Sequence, residues 1–224
     1  MKSSNSRNSG VAGSIALAFC IAMASSHNAH AGRPLTVDDA SVNELGGGHV
    51  EFWFARLPGQ SNVWHVSPAY SPIKGFEVSA LLSRDRTGSE TTKAIQGKYL
   101  FTPSNPDGCN FGTSFGTGYV NELRRQTPYL SGLATCNGNL GSAHLNLGVS
   151  KAEGESSVGV WGIAFERELG GGVTGHIERF GQKHVHPSMQ VGIRKEIMSG
   201  LQIDGTLGRY ADDSIYSIGI KKTF

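Results

Sequence analysis

The chain has 224 residues, 38% of them hydrophobic and 17% charged, with 20 Lys and Arg against 18 Asp and Glu. A nearly neutral chain without a basic run excludes nucleic-acid binding. Beyond the amino terminus no apolar stretch is long enough for a membrane-spanning helix, so a membrane location would have to be reached by strands.

Residues 1–31 read as a cleaved signal peptide. Lys2 and Arg7 supply a positive start, "VAGSIALAFCIAMA" an apolar middle, and Ala29-His30-Ala31 a small-x-small cleavage site. Cys20 lies within it, and Phe19 stands where a lipoprotein signal needs a small residue. Removing Lys2 and Arg7 leaves 18 basic residues to balance the 18 acidic ones. Residues 32–48 are expected to form a periplasmic amino-terminal segment, and residues 49–224 a single all-β domain.

From His49 onward the chain alternates apolar and polar residues between clusters of turn formers. The runs are "HVEFWFAR", "VWHVSPAY", "FEVSALLS", "TKAIQGKYLF", "CNFGTSFGTGY", "PYLSGLATC", "LGSAHLNLGVS", "VGVWGIAFER", "VTGHIERF", "MQVGIRKE", "LQIDGTLGRY" and "SIYSIGIKKTF". A period of two over eight to eleven residues predicts strands. One face carries Phe52, Leu82, Leu147, Val191 and Ile203, and the other Glu51, Glu77, His144, Arg194 and Asp204.

Alternation alone does not say which face points inward. An even strand number, short turns and an export signal favour a twelve-stranded antiparallel up-and-down transmembrane β-barrel, greasy outside, in the Gram-negative outer membrane. The carboxyl terminus agrees. Tyr216, Ile218, Ile220 and the terminal Phe224 resemble the assembly signal read by the barrel-assembly machinery, with Lys222 the one departure from its apolar pattern. A strand that runs to the last residue must pair with the first strand, so that no edge is left in lipid.

A resemblance to a known family lies just after the cleavage site. Pro34, Leu35, Thr36, Asp38, Asp39, Gly46 to Gly48 and Glu51 in "GRPLTVDDASVNELGGGHVE" resemble the amino-terminal element of outer-membrane proteins grouped as transporters of the MetA pathway of phenol degradation. The resemblance covers about twenty residues. It implies an outer-membrane barrel with a transport role and supplies no catalytic residues.

A charged Arg or Lys on the lipid face at mid-depth costs about 2–4 kcal/mol. The parity of each strand therefore sends Glu51, Glu77, Lys98, Glu166, His176, Glu178, Arg194, Glu196, Asp204 and Lys221 into the lumen. They either line a water-filled passage or pair across the interior and plug it, Arg194 with Glu178 or Glu196. Twelve strands lie between the filled eight-stranded barrel and the open sixteen-stranded porin. Inward glycines, Gly112, Gly116, Gly148, Gly192 and Gly219, thin the packing and favour a narrow passage.

Cys109 and Cys136 flank one hairpin, and the register that opposes them also opposes Phe111 with Ala134 and Phe115 with Leu130. Directly opposed strand residues are close enough for a disulfide, and an exported chain meets an oxidising compartment. "GTSFG" matches a nucleophile elbow around Ser114, but that motif needs a strand-to-helix turn and here sits inside an alternating strand. His184 and His186 lack a neighbouring carboxylate or cysteine and read as a surface loop, so neither a metal nor another cofactor is expected.

The expected function is a narrow channel or transporter for a small solute, with outer-membrane lipid as its surroundings and no enzymatic activity. Two other readings stay open. One is a structural barrel with a plugged lumen, and the other is a lipid-modifying enzyme with a His, Ser and acid site on the lipid face.

Overall fold

A computed structural model of the protein describes residues 35–102, 105–121 and 125–224. The expected signal peptide, Pro34 of the amino-terminal motif and the centre of the loop at 122–124 lie outside these residues. Twelve strands follow in order: β1 (Gly48–Arg56), β2 (Asn62–Ile73), β3 (Phe76–Asp85), β4 (Thr91–Leu100), β5 (Gly108–Val120), β6 (Arg125–Gly138), β7 (Gly141–Ser150), β8 (Val158–Gly170), β9 (Val173–Gln182), β10 (Ser188–Met198), β11 (Leu201–Tyr210) and β12 (Asp213–Thr223). Each pairs antiparallel with its sequence neighbour, and β1 pairs with β12 to close the barrel. The only helix among the described residues is a 3-10 turn at Pro58–Gln60.

Closure depends on the last residues. His49 opposes Thr223 and Arg56 opposes Tyr216 along the β1–β12 seam. Beyond the last pair the Phe224 N–H donates to the Gly48 carbonyl at 2.9 Å, and the Gly48 N–H returns the bond at 3.0 Å. A chain ending two residues earlier would leave those groups of β1 unpaired at the rim.

The barrel is inside out relative to a water-soluble protein. Leu147 is 59% exposed and Ile218 64% exposed, whereas Glu51 and Lys98 are 0% exposed. Phe52, Ile95, Leu130, Ile163 and Ile193 continue the apolar exterior around the wall. An apolar surface this continuous is unstable in water and is matched by lipid. The backbone needs nothing from that lipid, because every strand has a partner on both sides.

Two-residue turns occur at the rim where β1 begins and β12 ends. Lys74-Gly75 joins β2 to β3 and Ser199-Gly200 joins β10 to β11. Gly75 has φ of 79° and Gly200 of 66°, a left-handed backbone that a Cβ disfavours. The Cys109–Cys136 disulfide is formed between β5 and β6 near the same rim, in the register that opposes these two residues directly. Both side chains lie on the outward face of the wall.

The stretch before β1 departs from the expected periplasmic segment. Leu35, Val37, Asp38 and Ala40 are buried, and they pack against inward-facing residues of the wall. From Leu35, packed beside Ala164 and Phe180, the segment lies along the inner surface and leaves it at the rim where β1 begins. The physical reason is side-chain partners: the interior offers carboxylates, amides and a lysine to a backbone that would otherwise meet only its own rim.

Candidate functional site

The barrel interior divides into two arcs. The first runs from β3 to β9 and is covered by residues 35–43. At its β9 end Glu178 accepts the N–H groups of Thr36, at 2.9 and 2.8 Å, and of Val37, at 2.7 Å. Gln190 of β10 donates to the same carboxylate at 2.6 Å and to the Thr36 hydroxyl at 3.0 Å. Leu35 and Val37 cluster with Ala164 and Phe180. Gly162 makes the seat: a Cβ there would stand 2.7 Å from Val37 Cγ2.

The middle of the segment is held by an amide and an ion pair. Asn146 of β7 accepts the Asp38 N–H at 2.7 Å and donates to the Asp38 carbonyl at 2.7 Å. Lys98 of β4 reaches the Asp38 carboxylate at 2.5 Å and the Asp39 carboxylate at 3.2 Å, with both Lys98 and Asp38 fully buried. Thr135 of β6 accepts the Ala40 N–H at 2.8 Å, and Ala40 packs between Leu100 and Leu133. Near the rim Glu77 of β3 accepts both the Asn43 N–H and its side-chain amide, at 3.0 and 2.8 Å. Two ions buried apart from water are tolerable only when paired, and here Lys98 has further partners in Asp39 while Asp38 Oδ2 has none among the described residues.

The second arc spans β10, β11 and β12, and residues 35–43 leave most of it uncovered. Its inward side chains include the buried Asp204, Thr206 and Lys221 and the half-buried Arg194. Arg194 of β10 retains 21% side-chain exposure and meets Glu166 of β8 at 2.9 Å, reaching past β9. His144 approaches the same carboxylate at 3.6 Å. Asp204 stands directly opposite Arg194 in the sheet. At the seam Lys221 lies 3.7 Å from Glu51, which His49 approaches at 3.8 Å. Small residues, Gly208, Ser217 and Gly219, separate these charges.

Toward the rim away from the termini, the β1–β3 wall is filled by an apolar group of Trp53, Ala55, Leu57, Val63 and Leu81. Trp53 stacks on His65 with ring centroids 4.4 Å apart.

The predicted charged residues therefore fall into three places. Glu77, Lys98 and Glu178 hold the segment. Glu51, Glu166, His176, Arg194, Asp204 and Lys221 belong to the seam and to the arc from β8 to β12. Glu196 is an exception, exposed where the β10 register breaks near its end, with its carboxylate accepting the Gly200 N–H at 2.8 Å. Arg194 pairs with Glu166 rather than with Glu178 or Glu196. Glu178 is engaged by backbone N–H groups, and Glu196 caps the turn.

Gly192, read as thinning the packing, instead leaves room for the His176 ring, which a Cβ would strike. Ser114 is buried in the uninterrupted strand β5, opposite Lys98 and Ser131. His184 and His186 are exposed in the β9–β10 loop, and no metal-ligating cluster exists among the described residues. Sequence reasoning missed Asp38, Asn146, Thr135 and Gln190 as partners. The available signal was the apolar-x-apolar-Asp-Asp pattern of residues 35–39, which has no reason to exist in a fully solvated tail.

The architecture is shared with solved outer-membrane proteins. The KdgM porin in complex with disordered oligogalacturonate superposes with a TM-score of 0.67 at 9% identity, covering 80% of this chain and 99% of that one. The NanC porin gives 0.61 at 8% identity, covering 78% and 98%. The COG4313 outer-membrane channel from Pseudomonas putida F1 gives 0.59 at 12% identity, covering 83% and 98%. At these identities the likeness is one of fold. No curated protein matches the chain in sequence. The phenol-degradation family that the amino-terminal motif resembles is not the one whose model matches. The match spans residues 19–214, and the chain belongs to the family described as Uncharacterised conserved protein UCP029691.

Proposed function

We propose that the protein is a passive outer-membrane channel for small polar solutes, exported by a signal peptide at residues 1–31. Tyr216, Ile218, Ile220 and Phe224 serve the barrel-assembly machinery as its recognition strand, and the rim that holds both termini faces the periplasm. Solutes pass along the β10–β12 arc, between the wall and the covered β3–β9 arc. The observation that carries this reading is the inward, partly exposed Arg194–Glu166 pair in a closed barrel with an apolar exterior.

The likeness in fold to the KdgM and NanC porins supports the same reading, as does the resemblance of residues 34–51 to a transporter family. Charges in a narrow tube with low-dielectric walls focus the field on whatever ion or solute enters. Arg194 and Lys221 against Glu166, Glu51 and Asp204 make the passage mixed in sign, suited to small polar molecules more than to one class of ion.

A structural barrel is the second reading, favoured by the buried segment and by the Trp53 group that fills the β1–β3 side. Planar-bilayer recording decides between them. Discrete conductance steps from the purified barrel are expected. Their absence from protein that shows heat-modifiable migration would leave the structural barrel. Incubating the same protein with outer-membrane lipid and finding a modified product would instead indicate a lipid-modifying enzyme.

A further inference from the structure

We infer that the inner wall of the β3–β9 arc is a binding site for a peptide segment, which residues 35–43 of the chain itself occupy. The inference does not depend on whether the barrel conducts.

The segment is held as a ligand is held. The backbone hydrogen bonds that join this stretch to the sheet are made by Gly46 and Gly47, both with Ser71. Residues 35–43 are gripped by wall side chains: Glu178, Asn146, Thr135 and Glu77 accept backbone N–H groups, and Asn146 also donates to a carbonyl. Lys98 donates to the Asp39 carbonyl at 3.3 Å as well as to the two carboxylates. Backbone groups are common to every peptide, so this part of the site recognises a peptide backbone as such.

Two features then select sequence. Gly162 leaves a hollow that takes the branched side chain of Val37, and Lys98 takes the carboxylate that follows it. The ligand class is a short peptide with apolar residues two apart followed at once by Asp. The connection to the barrel lies outside the site, with Leu45 65% exposed in a link that touches the rim. Release of the segment would therefore free the wall without breaking a strand.

The test separates ligand from strut. A protease recognition sequence is inserted at Leu45 in the full chain, the folded barrel is cut, and the fragment is removed by dialysis. A fluorescent peptide of residues 35–43 is then added. Saturable anisotropy is expected, with binding about tenfold or more weaker for the Asp38→Asn peptide, the loss of one charge-assisted contact. The Gly162→Val barrel should show a similar loss, because it closes the hollow while leaving every hydrogen-bonding group of the wall in place.

A scrambled peptide that binds equally well would overturn the proposal, as would no binding to a barrel shown empty by mass spectrometry and folded by heat-modifiable migration. A cut fragment that survives dialysis but exchanges with the labelled peptide supports a site. One that never exchanges makes the segment a permanent strut and refutes it. Conductance recorded on the same samples keeps the two readings apart: specific binding without current leaves the peptide site and removes the channel, and current without specific binding does the reverse.

Discussion

The two arcs of the interior solve the same problem in different ways. Both must satisfy charges that the lipid face rejects. On β3–β9 a second piece of chain supplies the partners, so Lys98, Glu77 and Glu178 lie fully out of water. On β10–β12 the partners are other wall residues, and Arg194, which reaches back to Glu166 of β8, keeps some exposure. The covered arc gains specificity from desolvated contacts, where losing one partner strands the other. The less covered arc trades contact strength for tolerance, since residual water screens whatever is lost. The difference teaches that a buried charge in a barrel can be satisfied either by a second piece of chain or by the wall itself.

The largest effect should come from Lys98→Met. It removes the ammonium from two carboxylates and leaves the buried Asp38 uncompensated, a cost of about 3–5 kcal/mol for a broken buried pair. Because the segment can leave, that cost is expected to appear as release of residues 35–43. Limited proteolysis should cut them rapidly while the unboiled barrel still migrates fast. A variant that loses heat-modifiable migration with its segment still protected would show that covered arc and barrel wall are one structure.

Reduction of Cys109–Cys136 comes next. The bond closes a sequence separation of 27 residues in the covered arc but lies on its outer face. Roughly 2–4 kcal/mol of stability should be lost, mainly through the unfolded chain. Denaturant midpoints with and without reductant measure it, and protease protection of the segment should not change. Release of the segment on reduction would mean that the covered arc senses its lipid side.

A smaller loss is expected for Glu178→Gln, which keeps volume and one acceptor but weakens two contacts to backbone N–H groups. Hydrogen bonds to a charged group contribute about 1.5–3 kcal/mol, so segment proteolysis should accelerate by about tenfold or more. An unchanged rate would place the grip at Lys98 alone.

Arg194→Ala should have the smallest effect on stability, about 1–2 kcal/mol, since the Arg194–Glu166 pair is mostly but not wholly buried. Its effect should instead be on transport. Removing a cation leaves Glu166 and Asp204, so the reversal potential should shift toward cation selectivity. Unchanged selectivity would move the route away from β10–β12.

The strands and the hairpin register were legible for a local reason. Period-two alternation and turn residues are written in adjacent positions, and the Cys109–Cys136 opposition follows from counting along one hairpin. Other relations were not legible because their partners are far apart in sequence. Thr36 meets Glu178 across 142 positions, and Asp38 meets Asn146 across 108. The apolar-x-apolar-Asp-Asp run in "PLTVDDASVN" points to burial but names no partner strand. Arg194 meets Glu166 over the intervening strand β9, a contact set by the stagger of the closed sheet and by the prior engagement of Glu178.

The sequence by itself determined a closed antiparallel barrel of twelve strands, because side-chain parity, turn chemistry and a paired last residue are properties of neighbours. Only the tertiary structure decided which charges are sealed and which stay wet. That depends on where a short segment outside the sheet finds enough partners to lie down. Its contacts are chosen by the three-dimensional spacing of Glu77, Lys98, Asn146 and Glu178 on four different strands, which no local pattern encodes.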